Sequence, residues 1–236
     1  MVNEQHLALL KQSVNAWNEW RQENPEIPNL DRAALRQAAL SKAFLSGTSL
    51  RRADLGQADL REANLRRADL SRAFLSEASF SGADLREAIL SRADLQKACF
   101  NGACLRGTCF KWADLSGASL RKANLMRANF SGANLRGTDL TQANLMGADF
   151  TGADLSGADL SRTKAFWANF NGAILTGACL ENWKINKTTK LDNVICDYVY
   201  LRNSQRDRFP ERGHLTLGEF SELFKTTGRC EVLFKE

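Results

Sequence analysis

The stretch Ala53-Asp54-Leu55-Gly56-Gln57-Ala58-Asp59-Leu60-Arg61-Glu62-Ala63-Asn64-Leu65 decides the fold. A large apolar residue returns every five positions, and a small one stands two places before it. The spacing starts at Leu30 and runs through Leu35, Leu40, Leu45 and Leu50 to Leu160, with Ala33, Ala38, Ala43 and Thr48 at the small position. Between the two falls Asp, Asn, Ser or Cys in most units, so the unit reads Ala-(Asp/Asn)-Leu-x-x. Neither regular element explains a period of five. A helix would smear these leucines around its circumference, and a plain strand would switch successive leucines between its faces. A coil that turns a corner every five residues puts every central Leu and every Ala inside. The other three positions, rich in Arg, Ser, Glu and Gly, face water.

The central phenylalanines set the number of units per coil. Phe110, Phe130, Phe150 and Phe170 are spaced by 20, and Phe80 and Phe100 by 20 on the opposite side. Four units per coil stack these rings in two ladders, as aromatic geometry favours; three or five would scatter them. From Leu30 to Ile185 there are 32 pentads, about eight coils. At ~4.8 Å per stacked strand this predicts a rod about 38 Å long. The pattern resembles the pentapeptide-repeat family over about two thirds of the chain. That resemblance implies an all-β solenoid, a right-handed quadrilateral β-helix of pentapeptide repeats.

The ends depart from the repeat, and three segments are expected: 1–27, 28–187 and 188–236. Residues 4–22 read as an amphipathic helix with Leu7, Leu10, Val14 and Trp17 on one face, Asn3 as N-cap and Asn24-Pro25 as its end. It is expected to cap the first coil, since an open β edge invites aggregation. Trp183 takes an Ala position and Lys190 a central Leu position, so the regular coil ends near 185. The β-prone run 191–201 is read as a degenerate coil, and 202–212 as a charged linker. Thr216-Leu217-Gly218-Glu219 reads as a capping box opening a short helix with Leu217, Phe220, Leu223 and Phe224 on one side. This arrangement is similar to that of cyanobacterial pentapeptide-repeat proteins with an N-terminal helix and a C-terminal capping tail. With both ends capped, a monomer is expected.

Little in the chain suggests chemistry. It lacks the basic and apolar regions of a secretory signal, and no run of about 18 apolar residues offers a membrane span. A cytoplasmic protein with its six cysteines reduced is expected. The two histidines, His6 and His214, lie in opposite terminal segments. Cys99, Cys104 and Cys109 fall on three successive faces, where their sulfurs cannot converge on one ion. The aspartates are consensus residues on a convex rod with no cleft to raise a pKa. No catalytic, cofactor or metal site is expected, and the chain is read as no enzyme.

Residues 20 apart are stacked neighbours, so the outer positions fold into columns. One reads Arg32, Arg52, Arg72, Arg92, then Trp112, Gly132, Gly152 and Gly172. Another reads Ser46, Arg66, Arg86, Arg106, Met126, Met146 and Phe166, with Trp167 beside the last. Stacked like charges repel, so these ladders do not serve stability, and an exposed apolar run beside arginine marks an interface. Ala165 at a central position leaves a hole that Phe166 could fill by bending inward. Two readings of these columns stand: a solvated face whose repulsion Asp54, Asp69, Asp94 and Glu87 soften, and a scaffold binding a partner protein through Arg66, Arg86, Arg106, Met126, Met146, Phe166 and Trp167, with Arg32, Arg52, Arg72 and Arg92 as a secondary basic ladder. DNA-mimicking gyrase protectors occur in the family that the repeat resembles, but they carry acidic surfaces. Residues 28–187 hold 22 Lys/Arg against 15 Asp/Glu, a net of +7. Nucleic-acid binding through the ladders lacks interleaved aromatic platforms.

Overall fold

The computed structural model describes residues 2–202 and 205–227. Its body is a continuous coil in which each residue preceding a central Leu or Phe pairs, in parallel, with the residue 20 further on: Asp54 with Phe74, Phe74 with Asp94, Asp94 with Asp114. Between coils the central residue donates forward and its predecessor donates backward, as in Leu55 N–H to Phe74 O (2.8 Å) and Asp54 N–H to Ala33 O (2.9 Å). Each pentad then turns a corner closed by the Ala N–H on the preceding central carbonyl, Ala58 to Leu55 at 3.0 Å. The third residue of each such turn is left-handed, with φ of +57° at Gln57 and +67° at Gly157. Four corners per 20 residues make four faces, numbered here by their central residues: face 1 runs through Leu50, Leu70 and Leu90; face 2 through Leu55; face 3 through Leu60; face 4 through Leu65.

The core forms as the spacing requires. Central residues from Leu30 to Leu180 are buried, and the Ala positions beside them are closed almost throughout. Phe80 stacks on Phe100 at 4.6 Å, and Phe110, Phe130, Phe150 and Phe170 stack at 4.8–4.9 Å, every pair within 3° of parallel. The two ladders meet edge to face across the core, Phe100 on Phe110 at 6.0 Å. Burying such side chains stabilises by about 1.5–3 kcal/mol each.

The Asp/Asn position is half-buried and does structural work that the repeat pattern alone does not disclose. Its carboxylate or amide oxygen accepts the N–H two residues on: Asp59 from Arg61 at 3.1 Å, Asn64 from Arg66 at 3.2 Å, Asp154 from Ser156 at 2.9 Å. This local bond prepares the chain for each corner.

The N-terminal segment is two helices, not one. α1 (Glu4–Gln12) and α2 (Val14–Glu23) part at Ser13, whose extended backbone (φ −166°) and hydroxyl cap α2. Ser prefers this cap to a helix interior. Leu7, Leu10 and Trp17 are buried as expected, with Val14 partly so. Trp17 Nε1 donates to Phe44 O at 2.9 Å, Asn18 Oδ1 accepts from Phe44 N–H at 2.7 Å, and Arg21 donates to Ser46 O at 3.0 Å.

At the other end the 20-residue step holds to Lys164–Lys184 and then lengthens by one, to Asn169–Lys190 and Ile174–Ile195. One extra residue is absorbed between them, so Lys190 lies before a central position instead of in it. Leu191, Cys196 and Leu201 are the buried central residues of this last turn. The expected linker is part of an antiparallel hairpin, β1 (Val199–Arg202) with β2 (Arg206–Phe209). α3 (Glu219–Thr227) follows, its start tied by the Glu219 carboxylate accepting Thr216 N–H at 2.6 Å. Phe220 and Phe224 are buried, and Trp183 lies edge-on to both Phe170 and Phe224, at 5.4 and 5.8 Å. Leu217, expected on that apolar side, is 76% exposed because it precedes the helix.

Candidate functional site

The two arginine columns flank one face. Arg66, Arg86 and Arg106 occupy the corner entering face 1, and Arg52, Arg72 and Arg92 the corner leaving it. In the four turns 46–52, 66–72, 86–92 and 106–112 there are nine Lys/Arg against two Asp/Glu. That is the whole net +7 of the repeat, and the rest of 28–187 carries 13 residues of each sign. Reading columns singly hides this, because adjacency around the coil is set by which corner each column occupies. The floor between the ladders is Ser49, Asp69, Ile89 and Cys109, with Ile89 41% exposed.

The ion pairs are unevenly spread. Arg51 is held by Asp31 (2.6 Å) with Asp69 at 4.0 Å, Arg67 by Glu87 (2.8 Å), and Arg86 by Asp84, its Nε donating at 2.8 Å. Arg52, Arg66, Arg72, Arg92 and Arg106 have no carboxylate within 4.0 Å among the described residues. The Arg67 guanidinium holds the Glu87 carboxyl below the usual range, with Arg66 and Arg106 adding to the pull. The Arg86 hydrogen bond does the same to Asp84. Both carboxylates are therefore committed to guanidinium neighbours. A cleft of about 320 Å³ opens at the corner leaving the face, lined by Asp31, Arg32, Arg51, Arg52, Ser71 and Arg72.

Toward the C-terminal end the same walls turn apolar. Met126, Met146 and Phe166 continue the first ladder, but they are half-buried instead of exposed. Phe166 stays outside the core while Ala165 is fully closed, so the hole is not filled by an inward Phe166. Its ring meets Trp167 edge-on at 6.1 Å, and Trp167 itself is 55% exposed. In the second column Trp112 lies over Gly132, where an added Cβ would fall 2.4 Å from the ring. Gly152 and Gly172 follow, with no wall.

The remaining chemistry-bearing groups are dispersed. Cys99, Cys109 and Cys179 each contact a serine hydroxyl at 3.2 Å, Cys104 is exposed, and burial pushes the Cys196 thiol up to about 12. Cys230 lies outside the described residues. His6 bonds Glu26 at 3.2 Å inside the helical segment. No cluster of His, Cys, Asp and Glu among the described residues could hold a metal ion. A cavity of about 970 Å³ at the C-terminal end brings Phe209, Pro210 and Leu223 near His214 and Glu219, and its Asp192 and Asn193 continue the corner of Arg52, Arg72 and Arg92 five coils beyond Arg92. No helix of the described residues is long and apolar enough to cross a membrane.

The family model for pentapeptide repeats matches eight copies, over residues 29–67, 68–107, 108–145 and 143–182. This chain belongs to the pentapeptide-repeat family. No curated protein matches it. Among solved structures it is similar to HetL, a pentapeptide-repeat protein involved in heterocyst differentiation regulation in the cyanobacterium Nostoc sp. strain PCC 7120. The identity is 33% over 74% of this chain and 90% of that one, with a TM-score of 0.34. It is also similar to a trypsin-treated form of QnrB1, a plasmid-mediated fluoroquinolone resistance protein, at 24% identity over 72% and 86% of the two chains and a TM-score of 0.53. Rfr23 of the cyanobacterium Cyanothece 51142 is 25% identical over 74% and 97%, with a TM-score of 0.24. The fold of this pentapeptide-repeat protein is accordingly the right-handed quadrilateral β-helix.

Proposed function

We propose that this pentapeptide-repeat protein is a non-enzymatic scaffold that binds an acidic surface of a partner protein on face 1. The observation that carries the reading is that four successive turns of that face, with the two corners that bound it, hold nine Lys/Arg against two Asp/Glu while the rest of the repeat is balanced. Guanidiniums stacked about 4.8 Å apart repel, and an anionic partner offsets that cost while gaining association rate from the field. The apolar continuation through Met126, Met146 and Phe166 adds burial beside the charge, as at protein interfaces. The same reading takes 28–187 as about eight coils, with 1–27 and 188–236 as helical caps, and the protein as a cytoplasmic monomer. Helix contacts at Phe44 and Leu191 support the caps.

Replacing Arg66, Arg86 and Arg106 with Glu abolishes partner capture from native lysate while the melting temperature stays close to the parent's. Capture unchanged by the triple variant removes this site. A DNA-mimicking role of the gyrase-protector kind is the competing reading, and the basic face opposes it. A gyrase supercoiling assay is expected to show no effect of the protein.

A further inference from the structure

The floor of face 1 restricts what can lie on it. Its backbone is already paired between coils, Leu70 N–H to Ile89 O and Leu90 N–H to Cys109 O, both at 2.7 Å. No free edge invites strand addition. An extended segment laid there would press its own unpaired N–H and C=O groups against the floor, whereas an α-helix satisfies them internally. The spacing agrees. Ladder residues rise about 4.8 Å per coil, and a helix presents side chains on one side about every 5.4 Å. Alternate residues of an extended chain are about 6.6 Å apart. From Arg66 to Arg106 the ladder covers about 9.6 Å, two helical turns about 10.8 Å and the extended chain about 13 Å. The first difference lies within the reach of a flexible guanidinium, and the mismatch of the extended chain is some three times larger.

We propose that face 1 receives an amphipathic α-helix of the partner, lying along the rod axis. Its carboxylates meet Arg66, Arg86 and Arg106, and its apolar side chains meet Met126, Met146 and Phe166. The proposal rests on the acidic-partner reading and sharpens it. The wall changes from guanidinium to thioether between Arg106 and Met126, so the helix must carry its acids at one end and its apolar residues at the other. Five coil steps are about 24 Å, or about 16 helical residues. Carboxylates are needed on three successive turns, and apolar residues on the next three.

The probe is a labelled 20-residue Ala/Gln-based peptide with Glu at its positions 1, 4 and 8 and Leu at 11, 15 and 18, titrated with the full chain by fluorescence anisotropy. The comparator has the same composition with Glu and Leu intermixed along the same helical side. The patterned peptide is expected to bind at least tenfold tighter than the intermixed one. It is expected to lose at least tenfold on Arg86→Glu with Arg106→Glu, and severalfold on Met126→Gln with Met146→Gln. The glutamine pair keeps the charge, and equal melting temperatures establish that each variant folds. Equal binding of both peptides overturns the patterned-helix proposal and leaves an acidic partner standing. Failure of both peptides to bind overturns the acidic-partner reading as well.

Discussion

A left-handed residue closes every corner of the coil, and at many corners it is Arg, Lys, Gln or Glu instead of Gly. A side chain in this conformation costs about 1–2 kcal/mol. Gly157 has φ +67° and nothing within 4 Å of an added Cβ, so Gly157→Ala isolates that cost. The expected loss is about 1 kcal/mol in denaturant unfolding. Gly132→Ala must cost more, because its Cβ meets the Trp112 ring, and removing that ring with Trp112→Ala should bring the two glycine substitutions to the same value. The half-buried aspartates give a second prediction. Hydrogen bonds from the Arg61 guanidinium and backbone hold the Asp59 carboxyl below its usual value. Burial alone would raise Asp149 and Asp154, but hydroxyl and backbone donors outweigh it and both are lowered. A depressed folded value means stability that is complete above the unfolded pKa near 4 and lost as pH falls through the folded one. The melting temperature should be flat from pH 8 to 5 and fall below pH 4, and Asp59→Asn should make that acid limb shallower; an unchanged limb contradicts the assignment.

Trp17 joins α2 to the first coil through full burial and one hydrogen bond to Phe44 O. Trp17→Ala is expected to cost about 3–5 kcal/mol, and the loss should be local, because each coil contacts only its neighbours. Amide hydrogen exchange near Phe44 should quicken while the Phe110–Phe150 coils keep their protection; uniform acceleration refutes a nearest-neighbour rod. Such locality also explains what could be read from sequence. The strict Leu spacing and the two Phe ladders report a repeating backbone, so coil size and core followed directly from them. The break at Ser13 turns on a single cap that competes with an otherwise helical pattern. The residue gained before Lys190 leaves no periodic signature, because it occurs once. Phe166 has the apolar character expected at an interface, yet whether it bends inward depends on packing around Ala165, which periodicity does not encode.

Taken as one object, the rod carries its repeat's excess charge in four successive turns of face 1 and the two corners that bound it, and the rest of 28–187 balances 13 residues of each sign. Linear columns made the arginines visible, but only the order of corners around the coil showed that both ladders border the same floor. The account therefore depends on where the charge sits and not on how much there is. Two triple variants separate these. Arg66, Arg86 and Arg106→Glu reverse face 1, whereas Arg36, Arg61 and Arg121→Glu change the net charge equally at corners away from it. The deciding measurement is the affinity of each for the patterned acidic peptide at two salt concentrations, since screening weakens exposed charge pairs. The account predicts at least a tenfold loss for the face 1 variant, with a weakened salt dependence, and less than a threefold loss for its charge-matched control. Equal losses in the two variants would contradict it.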